Sequence, residues 1–200
     1  MTSEIRTYDI MPLNCTEIAR YAHCDYEQCA SVIEECISEA AGVLSNRVCF
    51  RAYDLFFTEE EINLGFAKTS SLDLRKNLRN CDRVIVFAAT VGVGIDRMIQ
   101  KYNRLSPSKA FILQAVGTEA VETVCDRFCN ELKEQYTLIR PRFSPGYGDL
   151  PLTLQKDIFS ALSCEKQIGL TLNNSLIMSP SKSVTALVGI GNTTSNLNLK

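Results

Sequence analysis

Arg140-Pro141-Arg142-Phe143-Ser144-Pro145-Gly146-Tyr147-Gly148-Asp149-Leu150-Pro151 is the stretch on which the reading of this chain turns. Its three prolines and two glycines exclude a regular helix or an inner strand, because each proline lacks a backbone donor and fixes φ. The same prolines argue against a floppy linker, since restricted φ angles leave little entropy to lose on ordering. A stiff irregular segment holding a planar guanidinium, a phenol and unpaired peptide groups suits the clamping of a small polar ligand. The competing reading is a surface crossover whose glycines and prolines only make turns.

Outward from this segment the pattern becomes periodic. Upstream, Ser106-Pro107-Ser108 opens the longest predicted helix, running to about Tyr136. Leu113, Val116, Gly117, Ala120, Val121, Val124, Phe128 and Leu132 form its apolar stripe. Glu119, Glu122 and Asp126 lie off that stripe and are expected on a solvated face. Downstream, Leu154 to Cys164 or beyond reads as another helix, and Leu170-Thr171-Leu172 and Val184 to Ile190 as two strands around a polar connection. Asn192 to Lys200 is polar and expected to fray.

The first half mixes both periods. Residues 1–12 suggest a short strand or arm, Asn14 opens a helix through Ala22, and Asp25 or Tyr26 opens a longer one ending near Gly42. Arg47 to Phe57 reads as a strand that Ile62 to Ala67 pairs with, and Leu72 to Asn80 as a short helix. Val84-Ile85-Val86-Phe87-Ala88-Ala89-Thr90 has the composition of a strand buried on both faces. It leads into Val91-Gly92-Val93-Gly94 and a helix to about Asn103. That glycine turn has the outline of a phosphate cradle, but Arg97 stands where GxGxxG needs its third glycine, so turn chemistry is the simpler reading. Helices and strands intermix without strict βαβ alternation, which makes the fold class α+β.

Composition narrows the function. The 200 residues suffice for one domain with a core, with 46% apolar and 22% charged residues. A net charge of −2 with dispersed basic residues excludes a phosphate-tracking nucleic-acid surface. No apolar run is long enough to span a bilayer and the start lacks a signal-peptide pattern, so a cytoplasmic location is expected. The nine cysteines include no Cys-x-x-Cys pair, and Cys125 and Cys129 fit core packing better than metal ligation. His23 is the sole histidine and no GxSxG accompanies it, which disfavours triad hydrolases.

Arg142-Phe143-Ser144-Pro145-Gly146-Tyr147 has the form RxxxGY, followed by Gly148-Asp149-Leu150-Pro151-Leu152 and Gln155. Further on, Ser175-Leu176-Ile177-Met178-Ser179-Pro180-Ser181-Lys182-Ser183-Val184 has the form Ser-x-x-Met-x-Pro-x-x-Ser-Val. On these two motifs the chain resembles the activation (reactivation) domain of cobalamin-dependent methionine synthase, here as a free-standing protein, most clearly over residues 107–191.

That resemblance implies a twisted antiparallel sheet with long helices. Residues 1–80 would be a helical and stranded part of the same domain, and 81–200 the activation-domain core. It implies an S-adenosylmethionine-binding protein supporting reductive methylation of cobalamin, with the corrinoid supplied by a partner methionine synthase and one electron by a flavodoxin- or ferredoxin-type donor. It would then be a component of a methyltransferase activity in methionine biosynthesis, with no catalytic acid or base of its own. The site residues carried over are Arg142 for the ligand carboxylate, backbone groups of Phe143 and Ser144, Gly146 for close approach, Tyr147 as an aromatic wall, and Glu122 on the ligand-facing helix. An acid from the family's amino-terminal segment corresponds to Asp54 or Asp9. Where family members place a further ligand-contacting tyrosine, this chain has Asn192-Thr193-Thr194-Ser195-Asn196. Two other readings stay open: a ligand-free assembly module of the same fold, and a conventional methyltransferase using Val91 to Gly94.

Overall fold

A buried antiparallel sheet organises the molecule, in a computed structural model that describes residues 3–191. Its strands are β1 (Glu4–Tyr8), β2 (Asn46–Asp54), β6 (Arg83–Thr90), β10 (Ser183–Gly191) and β7 (Leu138–Ile139), in the spatial order β1-β2-β6-β10-β7. Every neighbouring pair is antiparallel. In the central rows, Arg47 lies opposite Thr90 and Thr90 opposite Ser183 at one end; Asp54, Arg83 and Ile190 line up at the other.

Helices cover both faces, and this explains the unbroken apolar run of β6. On one face α1 (Cys15–Tyr21), α2 (Tyr26–Ala41), α4 (Val93–Leu105) and α5 (Pro107–Gln135) pack over Val48, Phe50, Ile85, Phe87, Ala186 and Val188. On the other, α3 (Leu72–Asn77), α6 (Leu154–Leu162) and α7 (Cys164–Ile168) pack over Cys49, Val84, Val86, Ala88 and Leu187. A strand sandwiched in this way needs apolar residues at successive positions even though the sheet is antiparallel.

The helix boundaries follow local chemistry. Asn14 caps α1 by accepting from Thr16 and Glu17 N–H, and Asp25 caps α2 through Gln28 N–H. The eight stripe residues of α5 are all buried. Phe128 is the central contact, with its ring centroid 5.0 Å from both Phe50 and Phe87. Gly94 lets α4 come against Val43, where a Cβ would collide with the carbonyl oxygen. The Val91 to Gly94 turn is therefore a packing device.

Several expectations are corrected. Ile62 and Asn63 pair as expected with the end of the Arg47 to Phe57 run, at Phe57 and Phe56, but not with the body of β2. The chain leaves the sheet at buried Leu55, and β3 (Phe56–Phe57), β4 (Ile62–Asn63) and β5 (Lys68–Thr69) form a separate three-stranded sheet. The connection expected to be only polar contains a further strand, β9 (Met178–Ser179), which pairs with β8 (Thr171–Leu172). The helix after the proline loop breaks at Ser163, whose φ of 53 starts a new direction for α7. Glu119 is only 8% exposed, not solvated: it accepts from the Asn14 N–H and holds α1 to α5, and burial raises its pKa. The expected frayed tail and the Asn192 to Asn196 segment lie outside the described residues.

Phe128→Ala removes the ring that both sheet aromatics pack against. Denaturant unfolding should show a loss of about 3–5 kcal/mol.

Candidate ligand-binding site

The proline segment is tied to the body of the molecule along its whole length. At its start, the Arg140 N–H donates to Gly189 O at 2.8 Å, and the Arg140 guanidinium reaches Arg79 O through Nε at 3.1 Å and Nη2 at 2.6 Å. Asn77 Nδ2 donates to Pro141 O at 3.1 Å. In the middle, Phe143 and Leu187 exchange both backbone hydrogen bonds at 2.8 Å. At its end, Asp149 caps α3, accepting from the Leu72 N–H at 2.7 Å, the Asp73 N–H at 3.1 Å and the Ser71 hydroxyl. The Ser71 bond, with the two N–H groups, holds the Asp149 carboxyl below the usual carboxylate range. Gly148, at φ 52, runs so close to Asp73 that a Cβ would overlap its carboxylate.

The loop leaves part of β10 without a neighbour. Leu187 and Gly189 direct backbone groups toward the β7 side. By the alternation of an antiparallel ladder, Thr185 and Ser183 direct theirs the same way. There the chain has already turned off through Ser144 and Pro145. The gap is a cavity of about 350 Å³ between the loop, α5, the start of α6 and the end of the 173–182 connection.

Five of the six expected site residues line it: Glu122, Arg142, Phe143, Ser144 and Tyr147. Gly146 does not; at φ 93 it turns the loop beneath Tyr147, over Leu152. Arg142 Nη2 lies 2.5 Å from Glu122 Oε2 and 3.2 Å from Asp126 Oδ1. Burial opposes the Arg142 charge, but the facing Cys125, Glu122 and Asp126 turn the net shift upward, so the guanidinium stays cationic. Its second nitrogen, Nη1, is buried with no partner among the described residues. The backbone of Phe143, expected to serve a ligand, instead bonds Leu187, so its offering to the cavity is the ring. That ring stands edge-on to Tyr147 with centroids 6.5 Å apart. Tyr147 itself is 66% exposed at the rim.

Of the two alternatives for the amino-terminal acid, Asp54 is at the wrong end of the sheet, opposite Arg83. Asp9 lines a neighbouring cavity that also contains Asp126.

Other cavity residues went unassigned in the sequence: Gln155, Met178, Ser183, Val184 and Thr185. Met178, Ser183 and Val184 belong to the second motif, which was the available signal. Gln155 Oε1 and Thr185 Oγ1, like Arg142 Nη1, are buried without partners among the described residues. The connection that brings the second motif here is itself braced. Asp96 on α4 accepts from Ser181 N at 2.7 Å and Ser181 Oγ at 2.6 Å, and Lys182 Nζ donates to Thr118 Oγ1 at 3.0 Å. Burial lowers the Lys182 pKa.

Residues 126–198 match the family model described as the activation domain of vitamin B12-dependent methionine synthase. Among solved structures, a MetH reactivation domain crystallised with AdoHcy superposes with a TM-score of 0.66 at 13% identity, covering 94% of this chain and 79% of that one. The expected α+β fold with its antiparallel sheet is the fold of that domain. No curated protein matches this chain in sequence.

Asp149→Asn weakens the tie between the loop and α3. Because the folded-state pKa of Asp149 is depressed, its stabilisation is present above the unfolded value and is lost as pH falls through the folded one. Thermal melts should show the variant below wild type near neutrality, with the difference narrowing once the pH drops below about 4.

Proposed function

We propose that this chain, an activation-domain relative by sequence motif and by fold, binds S-adenosylmethionine in the cavity under the proline loop and presents its methyl group to a corrinoid held outside these 200 residues. One observation carries the reading. The RxxxGY segment and the Ser-x-x-Met-x-Pro-x-x-Ser-Val segment, well separated in the chain, form one cavity, and three buried polar atoms without a partner among the described residues belong to its wall. Leaving such atoms unpaired costs about 1–3 kcal/mol each, a cost that a ligand with matching groups removes.

The roles follow from the chemistry of the ligand. Arg142 Nη1 offers a donor for the carboxylate, and Glu122 an anion for the ammonium or sulfonium. The rings of Phe143 and Tyr147 supply apolar contact, and the Ser144 N–H has no bond among the described residues. These groups bind, orient and exclude water. The bound corrinoid supplies the nucleophile, so positioning is what this chain contributes. Tyr147 lines the cavity and is exposed, where a corrinoid protein such as methionine synthase would approach. A flavodoxin- or ferredoxin-type donor would supply the electron. No helix among the described residues is long and apolar enough to cross a membrane, in keeping with a cytoplasmic place.

The Arg142–Glu122 pair also supports a second reading, a ligand-free assembly module in which the arginine is satisfied internally. Calorimetry separates the two. S-adenosylmethionine or S-adenosylhomocysteine should bind the wild type, and Arg142→Ala should lower the affinity by about one to two orders of magnitude. Absence of heat at millimolar ligand would end the first reading. Gly94→Val, by contrast, should lower stability through Val43 whatever the ligand does.

A further inference from the structure

The cavity is chemically polarised. Val184 lies on the β10 face turned to α5, with Ala186 and Val188, and this is the side of Glu122 and the Arg142 pair. By strand alternation Thr185 lies on the opposite face, in the row of Leu187, which packs with α6. Gln155, on the first turn of α6, meets the cavity from that same side. One end is therefore charged, and the other is polar but neutral.

At the neutral end two hydrogen-bonding atoms have no partner among the described residues. Thr185 is 2% exposed and Gln155 5% exposed, and neither Thr185 Oγ1 nor Gln155 Oε1 is bonded. Their neighbour Ser183 shows that this is not general to the row, because its Oγ lies 2.8 Å from Pro180 O and 2.9 Å from Thr90 Oγ1. Valine and leucine would fill nearly the same volumes without the desolvation cost. A purely structural role gives no reason for a hydroxyl and an amide there.

We propose that Gln155 and Thr185 are specificity residues that read the base edge of the S-adenosyl ligand, the amide oxygen accepting from the exocyclic amine of adenine and the hydroxyl bonding the adjacent ring nitrogen. This rests on the S-adenosyl reading and deepens it. The ligand is polarised in the same sense as the cavity, with an amino-acid zwitterion and sulfonium at one end and an uncharged base at the other. The Phe143 ring stands over the row of β10 that carries Thr185, where a flat base would be flanked by an apolar surface.

The test uses the full chain, the near-isosteric variants Gln155→Leu and Thr185→Val, S-adenosylhomocysteine, and its analogue lacking the 6-amino group. Without ligand, both variants should melt at or above the wild-type temperature, because an unpaired buried polar atom has been removed. With ligand, each should bind S-adenosylhomocysteine about tenfold more weakly, and Gln155→Leu should lose the wild-type preference for the amino-bearing base. Affinities within about twofold of wild type, a preference that survives in both variants, or a lower melting temperature without ligand would each overturn the assignment. If the wild type binds neither compound, the S-adenosyl reading itself fails and takes the assignment with it, whereas the outcomes just named leave that reading standing.

Discussion

A strand that loses its neighbour partway along creates this site. β10 is paired with β6 from Ser183 to Ile190, but on its other edge, among the described residues, it has the two residues of β7, the Arg140 N–H on Gly189 O and the single bridge to Phe143. The proline-rich segment cannot continue as a strand beside it, because residues 141, 145 and 151 have no N–H to donate. The segment therefore bends away and leaves the peptide groups around Thr185 facing a hollow. Cavity, bent loop and open strand edge are one consequence of proline placement.

A bent loop defines a site only if it is held, and the ties here are polar and distributed. Arg140 and Asn77 fix its beginning, and the Phe143–Leu187 exchange fixes its middle. Asp149 uses the exposed N–H groups of α3 to fix its end, the preferred arrangement for a carboxylate at a helix start. The second motif is braced in the same way by Asp96 and Thr118. Both walls of the cavity thus rest on rigid helices, which suits a task made of positioning a ligand.

The electrostatics of α5 show how a helix face divides its labour. Three acids off the apolar stripe looked alike in sequence, yet they have different fates. Glu119 is buried beneath the cap of α1, Glu122 lines the cavity, and Asp126 shares Arg142 from a more exposed position. A helical repeat says only that a residue is off the stripe. Which partner helix or loop crosses that face is decided by long-range packing.

Much of the architecture was legible from residue order. The caps at Asn14 and Asp25, the α5 stripe, the doubly buried β6 run and the irregularity of residues 140–151 all follow from local propensities acting over a few residues. The RxxxGY loop, too, could be marked as a candidate site from its composition, and its residues do line a cavity. Pairing was only partly legible: Ile62 does meet Phe57, but the break of that run into two sheets and the pairing of Thr171 with Ser179 depend on which edges remain open after the large sheet closes. Nor could the neutral wall of the cavity be found. Gln155 and Thr185 carry no local signature, and their burial without partners exists only once α6 is laid against β10. Sequence alone determined which segments are regular, which is not, and where the Arg142 loop sits, because these depend on near neighbours. Tertiary structure decided what that loop faces, because that depends on elements distant in the chain meeting across a sheet edge.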